Sequence, residues 1–280
     1  ALEPAKPTIR DALQCAVQAE ATDPDGDAVK LAFRWYRNGE LLPLGPAQQK
    51  IPAGVARRGE KWACEVEASD GELKIAPVRR ELTVENLPPT APVAEIEPVQ
   101  PRAGDDLVCV VKQPAADEDA DALRYTFRWT GDDKPLTPGK DPARLPASLL
   151  RKGVRYRCEV SASDGVVAGP PGVAERAILN SPPARPVVRI LPENPAAATT
   201  LTCELAEPAT DADGDPLTYK FRWKKNGVEQ TFHESAAQIP ARLVKPEEVW
   251  QCVVIATDGA SESLSAESGE ALIRAADAAP

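Results

Sequence analysis

The stretch DPDGDAVKLAFRW, Asp23 to Trp35, places three acids at alternate positions ahead of an aromatic strand pattern. DEDADALRYTFRW (Asp117 to Trp129) and DADGDPLTYKFRW (Asp211 to Trp223) repeat the arrangement, each copy 94 residues after the last. Two chemistries suit such acids. Ca²⁺ takes six to eight oxygens from carboxylates and carbonyls on flexible loops. Paired carboxylates can also exchange protons, but that needs an apolar pocket to shift a pKa, and these loops offer none. The single histidine, His233, corresponds to Gly139 and Gly45 in the other copies, so no triad recurs and it reads as a surface residue beside Ser235. Enzymatic activity is not expected. A third reading is structural, because Asp and Gly form turns and Asp side chains cap local N–H groups. The second copy has Ala120 where the others have Gly, yet keeps its three acids, which favours a role for the acids beyond the turn.

The 94-residue step extends to Cys15, Cys109 and Cys203, to Cys64, Cys158 and Cys252, and to Trp35, Trp129 and Trp223. A repeat of that length is a whole small domain. The expected domains are residues 1–86, 87–180 and 181–280. One cysteine pair per repeat predicts the intradomain disulfides Cys15–Cys64, Cys109–Cys158 and Cys203–Cys252, since no C-x-x-C zinc spacing is present. Disulfides imply an oxidising compartment, extracellular or at a cell surface. The net charge of −10 argues against nucleic acid and against an anionic membrane surface. No apolar run has membrane-spanning length, so no membrane insertion is expected within this segment. The chain starts and stops at nearly one phase of the repeat and lacks an initiator Met. A processed protein, or a piece of a longer array, is the simplest expectation.

Period-2 alternation dominates. Leu13, Cys15 and Val17 share a face, as do Leu31, Phe33 and Trp35, while Arg34 and Tyr36 point the other way. Trp62, Cys64 and Val66 form another inward set. Asn38-Gly39 and Asn226-Gly227 signal hairpins, and Asp70-Gly71 the next turn. LKIAPVRRELTV reads as the last strand, with Pro77 at an edge or bulge. The fold class is all-β, about seven short strands per repeat. Arg34, Arg128 and Arg222, on the outer face of the Trp strand, are expected to stack on neighbours or pair with strand acids.

A Cys on an early strand, a Trp on the next, and a second Cys two residues after an aromatic resemble the immunoglobulin-like β-sandwich. The matching residues are Cys15, Trp35, Trp62 and Cys64; Cys109, Trp129, Tyr156 and Cys158; Cys203, Trp223, Trp250 and Cys252. Only Tyr156 supplies the corner hydroxyl; Trp62 and Trp250 can fill the same space. With the linkers NLPPTAP and NSPPARP, the set is similar to bacterial immunoglobulin-like tandem repeats of secreted and surface proteins, cadherin-like or PKD-like modules. The resemblance implies three tandem sandwiches. Their topology brings Asp70 to Asp23, Asp25 and Asp27; Asp164 to Asp117, Asp119 and Asp121; and Asp258 to Asp211, Asp213 and Asp215. A Ca²⁺ ion there would stiffen the junction where the chain enters each domain, and repeats one and three, which keep the Gly, are the favoured sites. Pro88-Pro89 and Pro182-Pro183 favour extended linkers. Three such modules in line would extend on the order of 100–130 Å. Three functions stay open: a structural stalk or fibre segment whose partners are neighbouring repeats of a longer chain, an adhesin-like array gripping a protein or glycan, and a filament subunit that shares strands.

Overall fold

The computed structural model describes residues 1–233 and 235–275. Six β-sheets form three pairs, one pair per repeat. In the first repeat, β1 (Leu2–Glu3), β2 (Leu13–Cys15), β3 (Lys30–Arg37), β4 (Glu40–Leu41), β5 (Lys50–Ile51), β6 (Lys61–Ser69) and β7 (Val78–Thr83) form sheets ordered β1-β2-β5 and β4-β3-β6-β7. In the second, β8 (Val93–Glu97), β9 (Leu107–Gln113), β10 (Arg124–Gly131), β11 (Lys134–Leu136), β12 (Arg144–Leu145), β13 (Arg155–Ser163) and β14 (Gly172–Ala177) repeat that order. The third comprises β15 (Val187–Leu191), β16 (Leu201–Glu207), β17 (Thr218–Lys225), β18 (Val228–Gln230), β19 (Gln238–Ile239) and β20 (Val249–Thr257). Its last strand is broken into β21 (Ala266–Glu267) and β22 (Ala271–Leu272), both paired with β20. This is the immunoglobulin-like sandwich. Among the described residues no helix is long and apolar enough to cross a membrane.

The alternating pattern places the core. Trp35 lies opposite Cys64 in the β3–β6 register, and Trp223 opposite Cys252 in β17–β20. Disulfides Cys15–Cys64, Cys109–Cys158 and Cys203–Cys252 join the two sheets of each repeat against these fully buried indoles. Burying an indole leaves its N–H in need of an acceptor. Trp35, Trp129 and Trp223 donate to the carbonyls of Gln48 (2.8 Å), Pro142 (3.1 Å) and Ala236 (2.8 Å). At the corner position the hydroxyl of Tyr156 accepts from the Arg151 N–H at 2.7 Å. Trp62 and Trp250 instead donate to Glu60 and Glu248 (2.9 and 3.0 Å) and meet Trp35 and Trp223 edge-on.

Two local expectations need correction. β2 ends at Cys15, so Val17 is 44% exposed instead of sharing the inner face. The last strand of the first repeat starts only after Pro77, whose missing N–H cannot enter the ladder. The hairpin after β10 also turns through two residues with positive φ, but they are Asp132 and Asp133, which carry no Asn-Gly signature.

The chain packs as two compact units. The first holds Ala1–Ala94, Val111–Phe127 and Glu159–Val173. The second holds Glu95–Val110, Arg128–Cys158 and the described residues from Ala174 onward. The acid loop of the second repeat therefore belongs to one compact body with the first repeat.

Candidate functional site: the acid loops and the linker clasp

Each acid in the loop holds a separate task. The first acid closes the turn: Asp23 Oδ1 accepts from the Asp25 N–H (2.8 Å), Asp117 Oδ1 from the Asp121 N–H (3.1 Å), and Asp211 Oδ1 from the Asp213 and Asp215 N–H groups (2.8 and 3.1 Å). The turn is the same in all three repeats, because Ala120 adopts φ 64° where Gly26 and Gly214 adopt 89° and 80°. A non-glycine residue there costs about 1 kcal/mol. The turn is thus kept along with the acids.

The second acid holds the incoming linker. Within the first unit, Asp119 Oδ2 accepts the backbone N–H of Leu87 at 2.7 Å. Within the second, Asp213 Oδ2 accepts that of Ser181 at 2.6 Å. The hairpin acid takes the residue before it. Asn86 donates its side-chain amide to Asp164 at 2.7 Å, and Asn180 to Asp258 at 2.9 Å. The third acid meets a cation: Arg58 pairs with Asp121 at 3.0 Å, and Lys152 with Asp215. The same cations reach Asn86 Oδ1 (2.7 Å) and Asn180 Oδ1 (2.8 Å), which closes the ring of contacts. A tyrosine secures the loop from below, its hydroxyl accepting from Ala115 N–H (Tyr125, 2.9 Å) or Ala209 N–H (Tyr219, 3.1 Å).

Charge-assisted contacts of this kind are about twice as strong as neutral ones, and they shift the groups that make them. Asp164 is pulled down to about 2, first by the Val167 N–H and then by the Asn86 amide. Asp258 is lowered, first by Asn180 and then by the Ser261 N–H. Lys152 is raised, chiefly by its hydrogen bond to Asp215.

The structure gathers Asp117, Asp121 and Asp164 so that one carboxylate oxygen from each lies within 4.8 Å of the others. It does the same for Asp211, Asp213 and Asp215. Asp119 and Asp258 face the linker at the edges of these groups. Asp117 Oδ2, Asp119 Oδ1 and Asp211 Oδ2 are inaccessible to solvent and accept no hydrogen bond from the described residues. An uncompensated buried carboxylate oxygen is costly, and a hard cation with oxygen preference relieves that cost. The residues present therefore fit calcium. In the first repeat Asp25 and Asp27 are exposed, and Asp70 Oδ1 caps the hairpin through the Glu72 and Leu73 N–H groups, both 2.7 Å. The acids converge in the second and third repeats, whereas sequence favoured the first and third.

Sequence reading missed Asn86, Asn180, Arg58 and Lys152. Their signal was the shared 94-residue step, with an Asn two residues before each Pro-Pro and a basic residue 28 positions before that Asn. Arg34 pairs with Glu65 (3.1 Å) and Glu67 (3.3 Å) along the strand surface. His233 is exposed and its Nδ1 lies 2.7 Å from Ser235 Oγ.

No family model matches the chain. No curated protein matches it either. Among solved structures it is similar to the crystal structure of chicken CNTN1 FN1–FN3 domains, at 12% identity over 98% of this chain and 97% of that chain, with a TM-score of 0.27. A likeness at that score carries no functional argument.

Proposed function

We propose that the chain is a non-enzymatic structural segment of an extracellular or cell-surface protein, a stalk or fibre spacer whose partners are neighbouring modules. The observation that carries this reading is the clasp built twice at equal spacing: Asn86 and Leu87 on Asp164 and Asp119, Asn180 and Ser181 on Asp258 and Asp213. A linker meant only to tether needs no such fixed partners, whereas a spacer must resist bending at each joint. Three disulfides support an oxidising location. Nuclear spin relaxation on the full chain tests the idea. The first repeat and the acid loop of the second should tumble with one correlation time, and Asn86→Ala with Asp119→Ala should free the first repeat to tumble faster. Independent tumbling in the unaltered chain would reject the spacer.

Calcium belongs to the same proposal. Asp117, Asp121 and Asp164 would hold one ion and Asp211, Asp213 and Asp215 another, each neutralising crowded carboxylates beside a linker. For extracellular modules with dissociation constants near 10⁻⁴–10⁻³ M, 1 mM calcium stabilises by about 0.4–1.4 kcal/mol per site. That is a rise of several degrees in Tm for a domain of this size. Asp117→Asn and Asp211→Asn should remove the rise. Equal melting in calcium and in chelator retires the ion and leaves the clasp intact.

A further inference from the structure

The two clasps are built alike, but the bodies beside them are not. At the first joint a second charged contact accompanies Arg58 and Asp121. Arg10 donates Nε to Glu118 Oε2 at 2.8 Å and a terminal nitrogen to Glu118 Oε1, so guanidinium and carboxylate meet as a fork. Each group holds the other charged. Arg10 is raised, first by its hydrogen bond to Glu118, and Glu118 is lowered, first by its hydrogen bond to Arg10. Glu118 sits between Asp117 and Asp119 in the acid loop. The fork therefore ties the body of the first repeat directly to the loop that holds the linker.

One 94-residue step on, the counterparts of Arg10 and Glu118 are Gly104 and Ala212. Neither carries charge or can reach across. Both line a cavity of about 310 Å³ that also borders buried Leu150 and Ile178, together with Lys152 and Asp213. The charged contact between the two bodies there is Lys152 with Asp215. Asn180 also reaches Ser261 Oγ at 3.0 Å, and Ser181 Oγ accepts from the Ala103 N–H at 3.1 Å. Those contacts fix the linker to one body or the other and do not join the bodies. A guanidinium–carboxylate fork fixes angle as well as distance, because two parallel hydrogen bonds do not both survive a rotation. An ammonium is a point charge that pivots about its partner. Both kinds of pair are partly exposed and add little to the stability of a repeat, so what the fork supplies is direction. A cavity acts the opposite way, since atoms that line a void lack the dispersion contacts that would oppose a small displacement.

We propose that the two joints are graded: the Arg10–Glu118 fork makes the first the stiff one, and the cavity at Gly104 and Ala212 makes the second the hinge that yields first. The grading rests on the spacer reading above and refines it, because a spacer with unequal joints bends at a defined place. The pairs are matched by type. A basic residue stands opposite the acid at the first joint, and a small residue stands opposite a small one at the second. Each acid loop is thus fitted to the repeat that precedes it.

Leu87 and Ser181 donate the equivalent clasp N–H at the two joints, so amide exchange on the full chain reads each joint separately. Corrected for intrinsic rates, Ser181 should be at least about tenfold less protected than Leu87. Glu118→Arg sets like charges against each other at Arg10 and should bring Leu87 down to the level of Ser181. Arg10→Glu combined with Glu118→Arg rebuilds the fork in reverse and should restore the protection. Ala212→Met lays an apolar side chain toward Leu150 and Ile178 and should raise protection at Ser181 while leaving Leu87 unchanged. Arg10, Glu118 and Ala212 are all exposed, so these changes leave the cores of the repeats intact. Equal protection of the two amides in the unaltered chain overturns the inference. So does a Leu87 amide indifferent to Glu118→Arg, or a Ser181 amide indifferent to Ala212→Met. High and equal protection at both joints would reject the grading and keep the spacer, whereas free tumbling of the first repeat would reject the spacer itself, so the two failures are distinguishable.

Discussion

Asp164 does two jobs at once, capping its own hairpin through the Val166 and Val167 N–H groups and holding Asn86 from the preceding linker. Every one of those contacts favours the charged carboxylate, which is why its pKa falls from 3.8 to about 2. A carboxyl whose folded pKa lies below its unfolded value adds stability that is complete above the unfolded value. That contribution is lost as pH drops through the folded one. The window here runs from about pH 4 down to about pH 2. Urea unfolding across that range should show the unaltered chain losing its advantage over Asp164→Asn as acid is added, with the full difference restored at pH 6. A gap that stays constant with pH would mean that the charge on Asp164 is not what holds the linker.

At the scale of the element, Gly172 at the start of β14 allows the Pro92 carbonyl to lie directly over it. Gly172→Val would force the linker off its seat, at a cost of about 1–3 kcal/mol for overpacking. The measurable result is a lower denaturation midpoint together with faster exchange of the Thr90 amide, which donates to Ala116. An unchanged midpoint would place the linker elsewhere. Most strands were legible beforehand, because alternation in β3, β6 and their counterparts reports which side faces the core, and the cysteine step reports which strands are bridged. The clasp was not. Its contacts are polar, lie on loops and linkers, and join residues about 28 to 78 positions apart, as with Arg58 and Asn86 or Asn86 and Asp164. No periodicity encodes that meeting. The short β2 was equally hidden, since Val17 continues the inward pattern past the end of the strand at Cys15.

For the whole molecule, what matters mechanically is how much chain each repeat can release under load. The bridges span 49 residues of every 94-residue step. A closed loop of that size stabilises its module by roughly 4 kcal/mol in the chain-entropy model, and it also removes those residues from extension. About 45 residues per repeat remain free, worth about 160 Å of contour at roughly 3.5 Å per residue. Pulling the ends of one molecule apart should give three unfolding events, each of about that length. With reductant present the increment should double to about 330 Å as the indole-packed loops open. Increments near the longer value without reductant would mean that the bridges are not closed within each repeat, and the spacer proposed above would then lack its stop under load.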